Sequence, residues 1–134
     1  MRGRRGSTMV EGAIVITTFV FLMLGVMDIG RLGFAYNSVT YAAHRAARLA
    51  STHGSSSGLS WSRTNIQSNV QSNIFGLDTA GLSVDQGVNP WPDGNNSPGS
   101  HVKVVVSYSF QPLLIPISST SVTLSSTVVE VITQ

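Results

Sequence analysis

The sequence predicts an α+β protein. A long N-terminal membrane-spanning helix leads into a small outer domain, where a second helix accompanies a three-stranded antiparallel sheet. Three observations predict this. From Gly12 to Met27 the chain reads GAIVITTFVFLMLGVM, uncharged, between Glu11 and Asp28. Beyond it the sequence stays free of proline through an Ala-rich run ending at Ala50. The later part of the chain changes period, with apolar and polar residues alternating from Val102 to Gln111.

Taken in order, the first element is the apolar helix. Val10 to Ile29 is about 20 residues, enough to cross a bilayer core at about 1.5 Å per residue. Arg2, Arg4 and Arg5 precede it, which places the N-terminus in the cytoplasm and the rest outside. A buried core helix is the competing reading, but the remaining chain carries too few apolar side chains to wrap one. The helix continues past the membrane, from Ser7 to about Thr52, on the order of 70 Å in all. Its outer half stands clear of the bilayer. Gly25, Gly30 and Gly33 are weak points, each costing about 1 kcal/mol relative to Ala. His53-Gly54 and the Ser55-Ser56-Ser57-Gly58 run read as a C-cap and linker. The expected division is a leader over 1–6, the long helix over 7–53 with its membrane part at about 10–29, and the outer domain over 54–134.

Ser60 to Phe75 reads as a second, amphipathic helix. Ile66, Val70 and Ile74 recur every four residues, and Gly76 ends it. Leu82 and Val84 suggest a short strand. Asn89 to Ser100 (NPWPDGNNSPGS) is a Pro/Gly/Asn loop. Val102, Val104, Val106, Tyr108 and Phe110 form one face of a period-2 strand. Pro112 and Pro116 bracket a connection. Ser121 to Ile132 is a final strand whose alternation slips at Ser125-Ser126, read as a bulge.

Composition excludes much chemistry. Only 10% of the 134 residues are charged, against about 25% in an ordinary soluble domain. Polarity comes instead from 20 Ser and 11 Thr. With no Cys, disulfides, thiolate metal sites and thiol catalysis are ruled out. The isoelectric point near 9.5 does not signal nucleic-acid binding, because three of the basic residues sit in the first five positions and the rest are scattered. His44, His53 and His101 have no metal-ligand spacing, and Asp93-Gly94-Asn95-Asn96 lacks the ligand set of a calcium loop. No nucleophile elbow or phosphate cradle is present, so neither an enzyme nor a cofactor is expected.

The chemical interest lies at the N-terminus. A basic leader, Gly6, four residues and then Glu11 at the head of the apolar run resemble a type IV prepilin signal. That resemblance implies cleavage between Gly6 and Ser7 by a prepilin peptidase. Glu11 then becomes the fifth mature residue. A carboxylate at the bilayer edge is costly unless paired. In a growing filament it can pair with the new α-amino group of another subunit. Thr8-Met9-Val10-Glu11 also reads as a T-x-x-E capping box, and both readings stand at this point. An ordinary signal peptide cut after Ala35 is a further alternative, which would leave an exported binding module.

Further along, Asp28-Ile-Gly-Arg31 and Ala42-Ala43-His44-Arg45-Ala46-Ala47-Arg48-Leu49-Ala50, with Val10-Glu11 before them, resemble TadE-like proteins. These are minor pilins or pseudopilins of the tight-adherence (Flp, type IVc) pilus. The resemblance covers about Arg4 to Ala50, and Gly12 departs from the aromatic that usually follows the Glu. It implies a pilin-like structural subunit in the bacterial cytoplasmic membrane. Its implied partners are other pilin or pseudopilin subunits, a prepilin peptidase and an inner-membrane assembly platform. Asp28 and Arg31, three apart, are expected to form an interfacial ion pair. Arg45 and Arg48 are candidate partner contacts on the outer half of the helix.

Overall fold

The computed structural model describes residues 4–59, 61–85, 89–113 and 121–133, with side chains from Ser7 onward. Arg2, Ser60 and Pro116, invoked above, lie outside the described residues.

Helix α1 runs unbroken over Arg4–Ser51. Two environments divide it. Up to Met27 its large apolar side chains are exposed, from Val10 through Phe19 and Leu22 to Val26, which is 71% exposed. The segment is long and apolar enough to cross a membrane. Thr17 and Thr18 do not break this character, because their hydroxyls donate to the carbonyls of Ala13 and Ile14, at 2.7 and 2.9 Å. From Ala35 onward one stripe of the helix is buried: Ala35, Val39, Ala42, Ala43, Ala46, Ala47 and Ala50. Spaced three and four apart, they share one face. Five are alanines of the Ala-rich run, and their size lets the helix lie close against a sheet.

That sheet has three antiparallel strands: β1 (Leu82–Val84), β2 (His101–Phe110) and β3 (Val122–Val131), in the order β1-β2-β3. Val102, Val104 and Val106 of β2 are fully buried against the alanine stripe, with Val128 and Ile132 beside them. Helix α2 (Arg63–Asn73) adds Ile66 and Val70 to the same core. It is shorter than Ser60 to Phe75. Ile74 is the residue after it, and Gly76 lies beyond in a left-handed conformation, φ 72°. A Cβ at Gly76 would also come within 2.8 Å of the Phe34 ring, so the turn admits no side chain.

Two expectations need correction. The strand at Ser121–Ile132 carries no bulge: β2 and β3 pair without interruption from His101↔Val131 to Phe110↔Val122. The alternation survives because Ser126 takes an inward position opposite Val106, while Val129 and Val131 are left exposed on the outer face. The end of α1 is also not a left-handed glycine cap. Ser51 Oγ donates to the Arg48 carbonyl at 2.9 Å, and His53 Nδ1 meets that of Leu49 at 2.8 Å. The Ala50 carbonyl accepts from His53 N, and that of Ser51 from Thr133 N at 2.9 Å. The last four carbonyls of the helix are thereby satisfied.

Candidate functional site

The residues singled out by sequence are strung along α1 rather than gathered into a pocket. Gly6 and Ser7 lie in its first turns. Glu11 follows, exposed, with no hydrogen bond or ion pair to any described residue. Because α1 begins at Arg4, Thr8 is inside the helix and not at its N-cap. The capping-box reading of Glu11 is therefore not realised in this helix.

Asp28 is more than an ion-pair partner along the helix. Its carboxylate is buried, and Oδ1 accepts from Arg31 Nη1 at 2.9 Å. Oδ2 accepts from the backbone N–H of Leu113 at 2.8 Å, 85 residues away in sequence. Arg31 in turn lies over the ring of Phe110, 5.3 Å from its centre. One turn of α1, where the apolar run ends, is thus clamped to the end of β2 and the chain beyond it. Sequence spacing revealed the i,i+3 pair. No sequence signal identifies Leu113 N–H, since any residue but proline carries one. Beside the clamp a cleft of about 700 Å³ opens between Met27, Gly30 and Phe34 of α1, Asp78, and Tyr108 of β2.

Arg45 and Arg48 are exposed on the face of α1 turned away from the sheet. With Tyr41, His44 and Leu49 they line a shallow groove of about 410 Å³. This groove, the Asp28 clamp and Glu11 are separate places along one helix.

Asp85, which in sequence stands isolated, occupies a demanding position. It is 1% exposed, has φ 49°, and follows the last residue of β1. Its Oδ1 accepts from Val105 N–H at 2.7 Å, while Oδ2 is buried without a partner among the described residues. Burial raises its pKa above the ordinary carboxylate value, against the lowering influence of the Val105 hydrogen bond and of Arg63. Arg63 Nη2 donates to the Asp85 carbonyl at 2.9 Å, tying α2 to the strand end. Asp93 of the would-be calcium loop is engaged elsewhere. Its Oδ2 accepts from His101 N–H at 2.7 Å and meets His101 Nδ1 at 2.9 Å, which lowers its pKa. Among the described residues no group of three His, Asp or Glu side chains could hold a metal ion.

Residues 6–48 match the family model described as TadE-like protein, the family that the N-terminal third of the chain resembles. The match begins at the glycine of the expected cleavage site and ends at Arg48, all within α1. No curated protein and no solved structure matches the chain.

Proposed function

We propose that the protein is a structural and assembly subunit, a minor pilin or pseudopilin, of a Tad/Flp-type pilus. A prepilin peptidase cuts it between Gly6 and Ser7, and α1 anchors it in the cytoplasmic membrane with the N-terminus inside and the sheet outside. The observation that carries the reading is the spacing from Gly6 to Glu11 at the head of an exposed apolar helix, within the stretch that matches the TadE-like family. Glu11 would pair with the N-terminal ammonium of a neighbouring pilin. Arg45 and Arg48 would face a partner subunit or the inner-membrane platform. Cleavage after Ala35, as in an ordinary signal peptide, would remove Asp28 and Arg31 and with them the clamp on Leu113. That is a physical reason to prefer the earlier cut.

The test is the charge on Glu11. Glu11→Gln keeps size and polarity but loses the anion. It is expected to insert and be cleaved, yet to co-purify with partner pilins from cross-linked membranes roughly a hundredfold less, as suits loss of one member of a desolvated pair worth about 3 kcal/mol. Wild-type association by this variant would overturn the pairing while leaving the anchor intact.

A further inference from the structure

The assembly reading gives no task to the loop from Asn89 to Ser100, yet the loop is firmly braced. Lys103 N–H donates to the Pro90 carbonyl at 2.7 Å, and Gly94 N–H to that of Trp91 at 3.1 Å. Ser55 N–H donates to the Asn96 carbonyl at 2.9 Å, and Gly99 N–H to that of Ile132 at 2.8 Å. The pair of bonds from His101 to Asp93 adds a further tie. Ordered irregular segments of this length in small domains tend to carry function, and loops held by a rigid scaffold are where binding residues collect.

The loop and the start of α2 enclose a cleft of about 310 Å³. It lies beside Ser55, just past the end of α1, and so at the opposite end of the helix from the apolar run. Both tryptophans of the chain, Trp61 and Trp91, line it. Each is half-buried against the core, and Trp61 also packs on the His53 ring at 5.1 Å, so neither ring must be ordered by a ligand. Arg63, Asn89, Asn95 and Asn96 line it too, with Ser62 and Gly94 between them in the wall. The Asn89 side-chain oxygen accepts from Trp91 N–H at 3.2 Å, and that of Asn95 from Ser97 N–H at 3.2 Å. Their amide NH₂ groups, and the whole Asn96 carboxamide, have no partner among the described residues.

Aromatic faces flanked by amide donors and a guanidinium suit one kind of ligand: a ring with apolar C–H faces and a rim of hydroxyls. A wholly apolar ligand would leave the amides desolvated without partners. A nucleic-acid strand would need a basic track, and Arg63 is the one cation in the lining. We propose that this cleft binds a saccharide chain, stacked on Trp91 and Trp61 and hydrogen-bonded by the asparagine amides.

The test uses the full chain in a phosphocholine detergent, which carries no sugar headgroup to compete. Since both tryptophans line the cleft, intrinsic fluorescence reports on it directly. The probes are the trimer of N-acetylglucosamine, standing for an N-acetylated envelope glycan, and trigalacturonate, standing for an acidic surface polysaccharide. A saturable emission change with one of them is expected, weakened at least tenfold by Trp91→Ala and several-fold by Asn96→Ala. Trp91→Phe keeps a stacking face and should bind within a few-fold of wild type, which preserves the test if the alanine variant fails to fold. No saturable change with either probe up to its solubility limit would overturn the proposal. So would binding unaffected by both Asn96→Ala and the loss of the Trp91 ring. The titration reads a purified chain, so its outcome is independent of whether the assembly reading holds.

Discussion

Asp85 shows how one buried carboxylate sets up a measurable pH dependence. Its raised pKa means the folded state holds the proton more tightly than the unfolded one. The stability that protonation contributes is full below the unfolded value, about 3.9, and is lost as pH rises through Asp85's own higher value. Asp85→Asn keeps an acceptor for Val105 N–H and tolerates positive φ. In thermal melts the variant should match or exceed wild type at neutral pH, and its advantage should shrink as pH falls. At Asp28 both carboxylate oxygens are engaged, by Arg31 and by Leu113 N–H. Asp28→Ala removes the Arg31 pair and leaves Leu113 N–H without its acceptor, a cost of about 1–3 kcal/mol. Asp28→Asn should recover much of this by still accepting from Leu113, a difference that chemical denaturation would resolve.

At the scale of elements, α1 is one helix with two kinds of surface, and substitutions on each should act in opposite directions. A Cβ at Gly33 would meet nothing within 4 Å. Gly33→Ala should therefore stabilise the helix by about 0.5–1 kcal/mol, since it restricts the unfolded chain without a clash. Ala46 is fully buried in the stripe that lies on the sheet. Ala46→Leu should destabilise by about 1–3 kcal/mol, because Val102, Val104 and Val106 leave no room for three more carbons. Melting temperatures of the two variants, read in the same detergent, check both signs. The sheet depends on the same contact: its inner face is covered by α1 and α2, and among the described residues no helix covers its outer face.

For the whole molecule, the decisive questions are where the chain is cut and which way it faces. If Gly6 stands at the scissile bond, Gly6→Leu should leave a precursor about six residues longer on mass analysis, with Ser7 no longer the mature N-terminus. A periplasm-active reporter fused after Gln134 should work, and a cytoplasm-only reporter should not, because the basic leader has no comparable cluster beyond the apolar run. Tyr36 as the mature N-terminus would favour the signal-peptide alternative instead.

By itself the sequence determined the parts whose signals are local. Sixteen uncharged residues ending at Met27 declare an apolar helix because hydropathy and helical rise need no partner to be read. The alternation from Val102 to Phe110 declares a half-buried strand for the same reason, and the Asp28–Arg31 spacing declares a pair on one helical face. Only tertiary structure decided what depends on residues distant in the chain. It put the alanine stripe of α1 against the sheet, so that the C-terminal half of the helix supplies part of the core. It kept β3 in register without a bulge, because pairing with ten residues of β2 outweighs one serine turned inward. It brought Leu113 to Asp28 and the two tryptophans to one cleft. Backbone N–H groups look alike at every position, and a cleft lined by both Trp61 and Trp91 exists only once α2 and the sheet have packed.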